Sequence, residues 1–179
     1  VGALLRERSD REAMLEQLAH HDSLTGLYNR RYFFELAERE LLKARREATQ
    51  LTLFWMDLDH FKAINDKHGH AAGDRALAFF AGVLQRQCRR TDLAARMGGE
   101  EFAVLTWGSV DVQALAEKVR NTLQRELPQH REVVPFTVSI GVTTFRPEDQ
   151  RVEDMMHRAD IALYQAKAAG RDRVVYAGG

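Results

Sequence analysis

The run Leu51-Thr-Leu-Phe-Trp-Met56 is continuous, apolar and rich in β-favouring side chains. Side chains of a strand alternate between two faces, so a strand can be apolar throughout only where both faces are covered; the run therefore predicts the centre of a sheet. It also says where chemistry belongs. Asp57 follows the run immediately, and its carboxylate is expected at the carboxyl edge of the sheet, where ligands of layered α/β proteins bind.

Around this strand the chain alternates helical and strand patterns. A charged, helix-favouring segment fills the first twenty residues, with Val1, Leu4, Leu15 and Leu18 on a heptad stripe interrupted by Arg8 and Arg11, so a coiled coil and a solvated connecting helix both fit. After a turn at Thr25-Gly26 a second helix is expected from about Tyr28 to Arg46, and a third from about Ala72 to Arg89, where Leu77, Phe80, Val83 and Leu84 have helical spacing. Leu93 to Met97 and Phe102 to Trp107 read as short strands flanking Gly98-Gly99-Glu100-Glu101, a hairpin turn in which glycine supplies positive φ cheaply. A helix from about Val110 to Leu127 stopped by Pro128, a strand from Phe136 to Thr144, a helix from Val152 to Ala168 closed by Gly170, and a strand Val174 to Tyr176 complete the order. Alternation with one tight hairpin implies an α+β sandwich: a mixed sheet of about five strands flanked by helices.

Composition removes several function classes. Twenty-six basic and twenty-six acidic side chains in 179 residues give no net charge, so no global field draws the chain to nucleic acid or anionic lipid, and any polyanion must be bound locally. A 45% hydrophobic content supports one ordinary domain. Cys88 is the single cysteine, which makes no internal disulfide and reads as a small buried hydrophobe in a reducing compartment. No apolar stretch reaches the roughly 20 residues of a membrane span, and the first residues are no signal peptide, so a cytoplasmic location is expected. The initial Val1 suggests a piece of a longer chain.

Asp57 and Glu100 are expected close together on neighbouring strand ends, where two carboxylates repel unless a cation or a proton intervenes. Mg²⁺ held by such carboxylates and by substrate phosphates is one resolution; solvation as ordinary turn acids is the other. A short helix beginning near Phe61 would aim its first amides at a phosphate near Asp57, and Lys62 would add a mobile charge. Lys167 and Arg171 are spaced to grip one anion together, although cations at a helix C-terminus are favoured by the dipole alone. Asn65 and Asp74 could read guanine, since a carboxylate accepts from both its ring N–H and its exocyclic amine, but Asp74 serves equally well as a helix N-terminal acid. Arg89 and Asp92 fit either a surface ion pair or a grip on a guanine nucleotide.

Six segments, in order, resemble the GGDEF domain of bacterial diguanylate cyclases over roughly residues 20 to 176: Asp22-Ser-Leu-Thr-Gly-Leu-Tyr-Asn-Arg-Arg31, Met56-Asp-Leu-Asp-His-Phe-Lys-Ala-Ile-Asn-Asp66, Gly69-His-Ala-Ala-Gly-Asp74, Arg96-Met-Gly-Gly-Glu-Glu-Phe102, Ser139-Ile-Gly-Val142, and the segment from Ala159 to Arg171. Glu100 makes the signature GGEEF, a form that active members of that family also use. The resemblance implies a nucleotidyl-cyclase-like fold, with residues 1–20 as a signalling or coiled-coil helix and residues 21–179 as the GGDEF domain. It implies condensation of two GTP into cyclic di-GMP and two pyrophosphates by a homodimer in which each copy holds one GTP.

By position, the resemblance assigns Asp57, the carbonyl of Leu58 and Glu100 to Mg²⁺, with Mn²⁺ as a substitute. Glu100 would also activate the attacking hydroxyl, its division of labour with Glu101 being open, and Lys62 would stabilise transition-state charge. Phe61, Asn65, His70, Asp74, Gly98 and Gly99 would bind the guanine nucleotide, and Lys167 with Arg171 its terminal phosphates. Arg89 and Asp92 match an Arg-x-x-Asp site at which cyclic di-GMP inhibits; Arg45 or Arg46 are candidates for the second arginine of that site. A sensor or receiver domain is expected N-terminal to this chain. Met97 and Asp172 stand where the family more often has an aromatic residue and an asparagine. Two other classes compete: a non-enzymatic nucleotide sensor, disfavoured by the intact signature, and a cyclase making an adenine-containing product, disfavoured by Asp74.

Overall fold

The computed structural model describes residues 2–108 and 111–178. Its sheet has the order β2-β3-β1-β4-β5, built from β1 (Leu51–Leu58), β2 (Leu93–Gly98), β3 (Glu101–Trp107), β4 (Val138–Thr144) and β5 (Val174–Tyr176). β1 lies at the centre, antiparallel to both β3 and β4. β2 is antiparallel to β3, and β5 pairs in parallel with β4. The sheet is therefore mixed, and helices pack on both of its faces.

Every residue of β1 is buried, and its alternation divides the core. Phe54, Met56 and Leu58 point into one cluster with Phe80, Leu84, Phe102, Val119 and Leu123, under α4 (His70–Gln87) and α5 (Val112–Glu126). Leu51, Leu53 and Trp55 point into a second cluster with Phe33, Leu41, Met155 and Leu163, under α2 (Arg30–Glu47) and α6 (Val152–Ala168). The unbroken apolar run is the sequence trace of this three-layer arrangement. α6 comes close to β4 at Gly141: a Cβ there would sit 2.1 Å from the carbonyl oxygen of Ala159 and 2.5 Å from the amide of Leu163.

α1 (Gly2–His20) has no buried residue. It meets the domain at its end, where the His20 ring stacks on Tyr32 with centroids 3.8 Å apart and Asn29 Nδ2 donates to the carbonyl of Ala19 at 2.9 Å. Asn29 also caps α2 by accepting from the amide of Tyr32. Among the described residues no helix is long and apolar enough to cross a membrane.

Several boundaries differ from the sequence expectation. β1 continues through Leu58, so Asp57 lies inside the strand rather than beyond it, paired with Glu101 on one side and Ser139 on the other; backbone pairing on both edges carries the strand past its apolar run. α4 begins at His70, after Gly69 with φ +87, which puts Asp74 in the second turn rather than at the N-terminus. α5 is capped by Asp111, whose side chain accepts from Ala114 N; the expected start at Val110 falls outside the described residues. Pro128 sits in a 3-10 turn, Leu127–Gln129, after the α-helix has ended at Glu126. Of the expected strand from Phe136, only Val138 onward pairs.

Candidate active site

The end of β1 and the hairpin between β2 and β3 bring the acidic residues together. Gly98 has φ +140 and Gly99 φ +49, conformations that cost a side-chain-bearing residue strain. They let the chain reverse so that Gly98 faces Glu101 and Glu100 stands at the turn. The turn is tied down twice: Leu58 N donates to the carbonyl of Glu100 at 3.2 Å, and Arg96 Nε donates to the carbonyl of Gly99 at 2.9 Å. Arg96 also pairs with Asp22 at 3.2 Å, which fixes the segment after α1 against the hairpin.

Asp57 is 6% exposed. Burial pushes its carboxyl up to about 6, against the lowering hydrogen bond and charge of Lys167, and the charges of Glu100 and Glu101 raise it further. Glu101 is raised as well, by burial first and then by Asp160 and Glu100. Lys167 of α6 places Nζ 3.0 Å from Asp57 Oδ2. Asp57, Glu100 and Glu101 are hard oxygen donors that repel one another, and a lysine ammonium lies against the first of them. No three His, Cys, Asp or Glu side chains among the described residues converge on one point. In donor chemistry alone, Asp57, Glu100 and the Leu58 carbonyl are the hard oxygens that Mg²⁺ takes, with phosphates and water ordinarily completing its shell.

On the other side of the strand end, α3 (Phe61–His68) begins three residues after β1, and no side chain caps its N-terminus. Phe61 is half-buried, and Lys62, His70 and Asp74 are exposed. Asn65 Oδ1 is buried and has no hydrogen-bond partner. It lies against α4 at Gly73, where a Cβ would be 2.0 Å from Asn65 Oδ1 and 3.0 Å from Phe61 Cζ. The fold thus gathers Phe61 and Asn65, both expected at the nucleotide, against Gly73, which the sequence offers only as part of a motif and without a role. Arg171 follows α6 in the left-handed region, with φ +66.

Arg89 and Asp92 are bonded to each other. The Arg89 amide donates to Asp92 Oδ2 at 2.7 Å, and its guanidinium donates to Asp92 Oδ1 at 3.1 Å, Thr106 Oγ1 at 2.7 Å and the carbonyl of Trp107 at 2.8 Å. The pair borders a groove of about 290 Å³ lined also by His21, Tyr28, Cys88 and Arg90. Neither Arg45 nor Arg46 lines that groove; Arg45 donates to the carbonyl of Asp149, before α6. The arginine that does share the groove with Arg89 is Arg90, its sequence neighbour.

The fold and site together define a nucleotidyl-cyclase-like domain. A family model described as diguanylate cyclase, GGDEF domain, matches residues 19–173, and the chain belongs to that GGDEF family. Diguanylate cyclase DgcP of Pseudomonas aeruginosa is 42% identical over 163 residues, which are 88% of this chain and 24% of that protein. The cyclic di-GMP phosphodiesterase NbdA of the same organism is 34% identical over 178 residues, 98% of this chain and 23% of that protein. The chain thus spans about a quarter of the length of these two curated relatives. Among solved structures, the coiled coil and GGDEF domain of DgcB from Caulobacter crescentus, in complex with c-di-GMP, superposes with a TM-score of 0.88 at 30% identity, covering 98% of this chain and 95% of that one.

Proposed function

We propose that this chain is an active diguanylate cyclase domain, joining two GTP into cyclic di-GMP with release of two pyrophosphates. The observation that carries the proposal is Asp57, buried beside Glu100 and Glu101 with Lys167 drawn onto it. Such a cluster suits chemistry that gathers a triphosphate's negative charge at a cation.

In this reading Asp57, the Leu58 carbonyl and Glu100 hold Mg²⁺ or Mn²⁺, which when bound offsets charge on the phosphates. The guanine lies against α3 and α4. Its exocyclic amine supplies the donor that Asn65 Oδ1 lacks, and Asp74, exposed one helical turn beyond His70, accepts from the base edge. Lys62, Lys167 and Arg171 take phosphate oxygens. Glu100 accepts the proton of the ribose 3′-hydroxyl as that oxygen attacks the α-phosphorus of the GTP held by a second copy; the bond to pyrophosphate breaks, and the reciprocal attack closes the ring. Positioning and charge supply most of the rate.

Each copy supplies half of the reacting pair, so the active species is a homodimer. The apolar side chains of α1 are unburied, with Leu4, Leu15 and Leu18 each at least 60% exposed, which supports pairing of that helix with its copy as a coiled coil ahead of the catalytic domain. The groove at Arg89 and Asp92 is the candidate for inhibition by product, and the size of the relatives supports an output domain beneath an N-terminal sensor or receiver in a bacterial, cytoplasmic signalling protein. A purely regulatory domain is the second reading, favoured by the likeness to a protein named as a phosphodiesterase.

The test is Glu100→Gln assayed with GTP and Mg²⁺, and the wild type incubated with GTP and ATP together before chromatography of the products. Wild type should yield cyclic di-GMP alone and the variant none, with an unchanged melting profile. Turnover retained in Glu100→Gln would sink the mechanism, and no product from the wild type would favour the regulatory reading.

A further inference from the structure

Asp59, the first residue beyond β1, is 3% exposed, and its carboxylate is spent on the far end of the chain. Oδ2 accepts from Thr137 Oγ1 at 2.7 Å and from the backbone amide of Asp172 at 3.0 Å, and Oδ1 accepts from Ser139 Oγ at 2.7 Å. Three donors make a buried carboxylate tolerable without a cation. Asp172 is held from its other side by α5: Arg120 Nη2 donates to its Oδ1 at 2.9 Å and also to its carbonyl, and Gln124 Nε2 donates to its Oδ2 at 3.0 Å. Arg120 is braced in turn by Glu117 at 2.6 Å.

Arg171 lies between α6 and this doubly anchored residue. The backbone passes through three left-handed residues in succession, with φ +117 at Gly170, +66 at Arg171 and +46 at Asp172. Two consecutive side-chain-bearing residues persist there only where their surroundings over-determine them. The backbone of Arg171 is fixed at both ends, its amide donating to the carbonyl of Ala166 at 3.0 Å and its carbonyl accepting from Arg173 Nε at 2.9 Å. Its guanidinium, by contrast, has no ion-pair partner among the described residues. A cation on a rigidly set backbone, without its own carboxylate, is held out for an anion.

We propose that Asp59, Asp172 and Arg120 form a clamp that positions Arg171 for the terminal phosphates of the substrate. The inference rests on the reading of the site as a GTP site. None of the three touches the nucleotide; they are positioning residues that act through the backbone of Arg171. Asp59 stands two residues from Asp57, so one strand end sets both the carboxylate that faces the cation and the anchor of the arginine that faces the phosphates. The clamp also gives Asp172 a use for its charge, since an asparagine there could accept from Arg120 but not pair with it.

The test uses the whole chain and two guanine nucleotides that differ in their terminal phosphates: GMP, and a GTP analogue with a methylene bridge between the α- and β-phosphorus, titrated by calorimetry in Mg²⁺. Arg120→Ala and Asp172→Ala should each weaken the analogue by about tenfold, the scale of one misplaced charge-assisted hydrogen bond, and leave GMP within about twofold. In turnover, KM should rise while kcat changes little, and Asp172→Asn should restore most of the loss. In an Arg171→Ala background the same substitutions should add nothing. Asp59→Asn, which keeps the buried volume, should speed amide hydrogen exchange across residues 170–173. Equal losses for GMP and analogue, or losses that add to that of Arg171→Ala, would overturn the clamp. A wild type that makes no cyclic di-GMP, while Arg120→Ala still discriminates the two nucleotides, would overturn the cyclase reading and leave the clamp standing. A wild type that binds neither nucleotide would overturn both.

Discussion

Lys167 Nζ stands 3.0 Å from Asp57 Oδ2, so the side chain expected to hold a terminal phosphate is also the counter-ion of the carboxylate expected to hold the metal. Both roles follow from one position: the last turn of α6 crosses the end of β1 on the face to which Asp57 points. Binding of a metal nucleotide would then exchange partners, Asp57 to the cation and Lys167 to a phosphate.

Removing the lysine leaves a buried carboxylate among other acids. Lys167→Met should therefore lower stability in EDTA by about 2 kcal/mol, or roughly 4–8 °C in melting temperature for a domain of this size. Excess Mg²⁺ should recover part of that loss, and KM for GTP should rise at least about tenfold from the lost phosphate contact. A melting temperature in EDTA equal to that of the wild type would show that the ion pair contributes nothing.

Gly73→Ala tests the packing of α3 on α4. The added methyl would lie 2.0 Å from Asn65 Oδ1, and the end of that side chain can rotate away. The expected result is a folded protein, destabilised by about 1–2 kcal/mol by overpacking, whose KM for GTP rises more than its kcat falls. An unchanged KM would remove Asn65 from the guanine site.

Gly141→Ala meets backbone rather than a side-chain end, at 2.1 Å and 2.5 Å. The helix must shift bodily, so a loss of about 3 kcal/mol or more is expected, measured by urea unfolding. A loss below about 1 kcal/mol would mean that α6 does not pack this closely on β4.

Cys88 is half-buried, and burial, with Asp92 adding, pushes its thiol up to about 12 from an ordinary value of 9.0. The folded state thus favours the protonated form. Its contribution to stability is complete below pH 9 and is lost as pH rises from there toward 12. A disulfide reagent at pH 8 should modify the native protein far more slowly than the urea-unfolded chain, and the wild type should lose stability relative to Cys88→Ala between pH 9 and pH 10.5. Equal modification rates for native and unfolded protein would contradict the burial of this thiol.

Much of this was legible in the sequence because it is local. The apolar run from Leu51 to Met56 announces a central strand, and Gly98-Gly99 announces a tight turn with Glu100 at its tip. Apolar periodicity stops at Met56 and so predicts Asp57 just beyond the strand, whereas pairing with Glu101 and Ser139 continues. Contacts at long sequence separation were not legible. Asp59 reaches Asp172 across 113 positions, and Arg120 reaches the same residue across 52; no periodicity encodes either. Apolar spacing does not fix where α4 begins, so it leaves open whether Asp74 falls in the first helical turn; the start at His70 puts it in the second. For the second arginine of the groove at Arg89, rough position suggested Arg45 or Arg46, but the engagement of Arg45 with Asp149 depends on how the β4–α6 loop packs on α2.

In the proposed mechanism one chain carries half of a reacting pair. The deciding measurement is the initial rate of cyclic di-GMP formation at saturating GTP and Mg²⁺ over a protein concentration range that spans dimerisation as judged by sedimentation. Specific activity should rise with the dimer fraction and plateau where dimerisation is complete. Specific activity that stays flat while the protein passes from monomer to dimer would show that a single copy suffices.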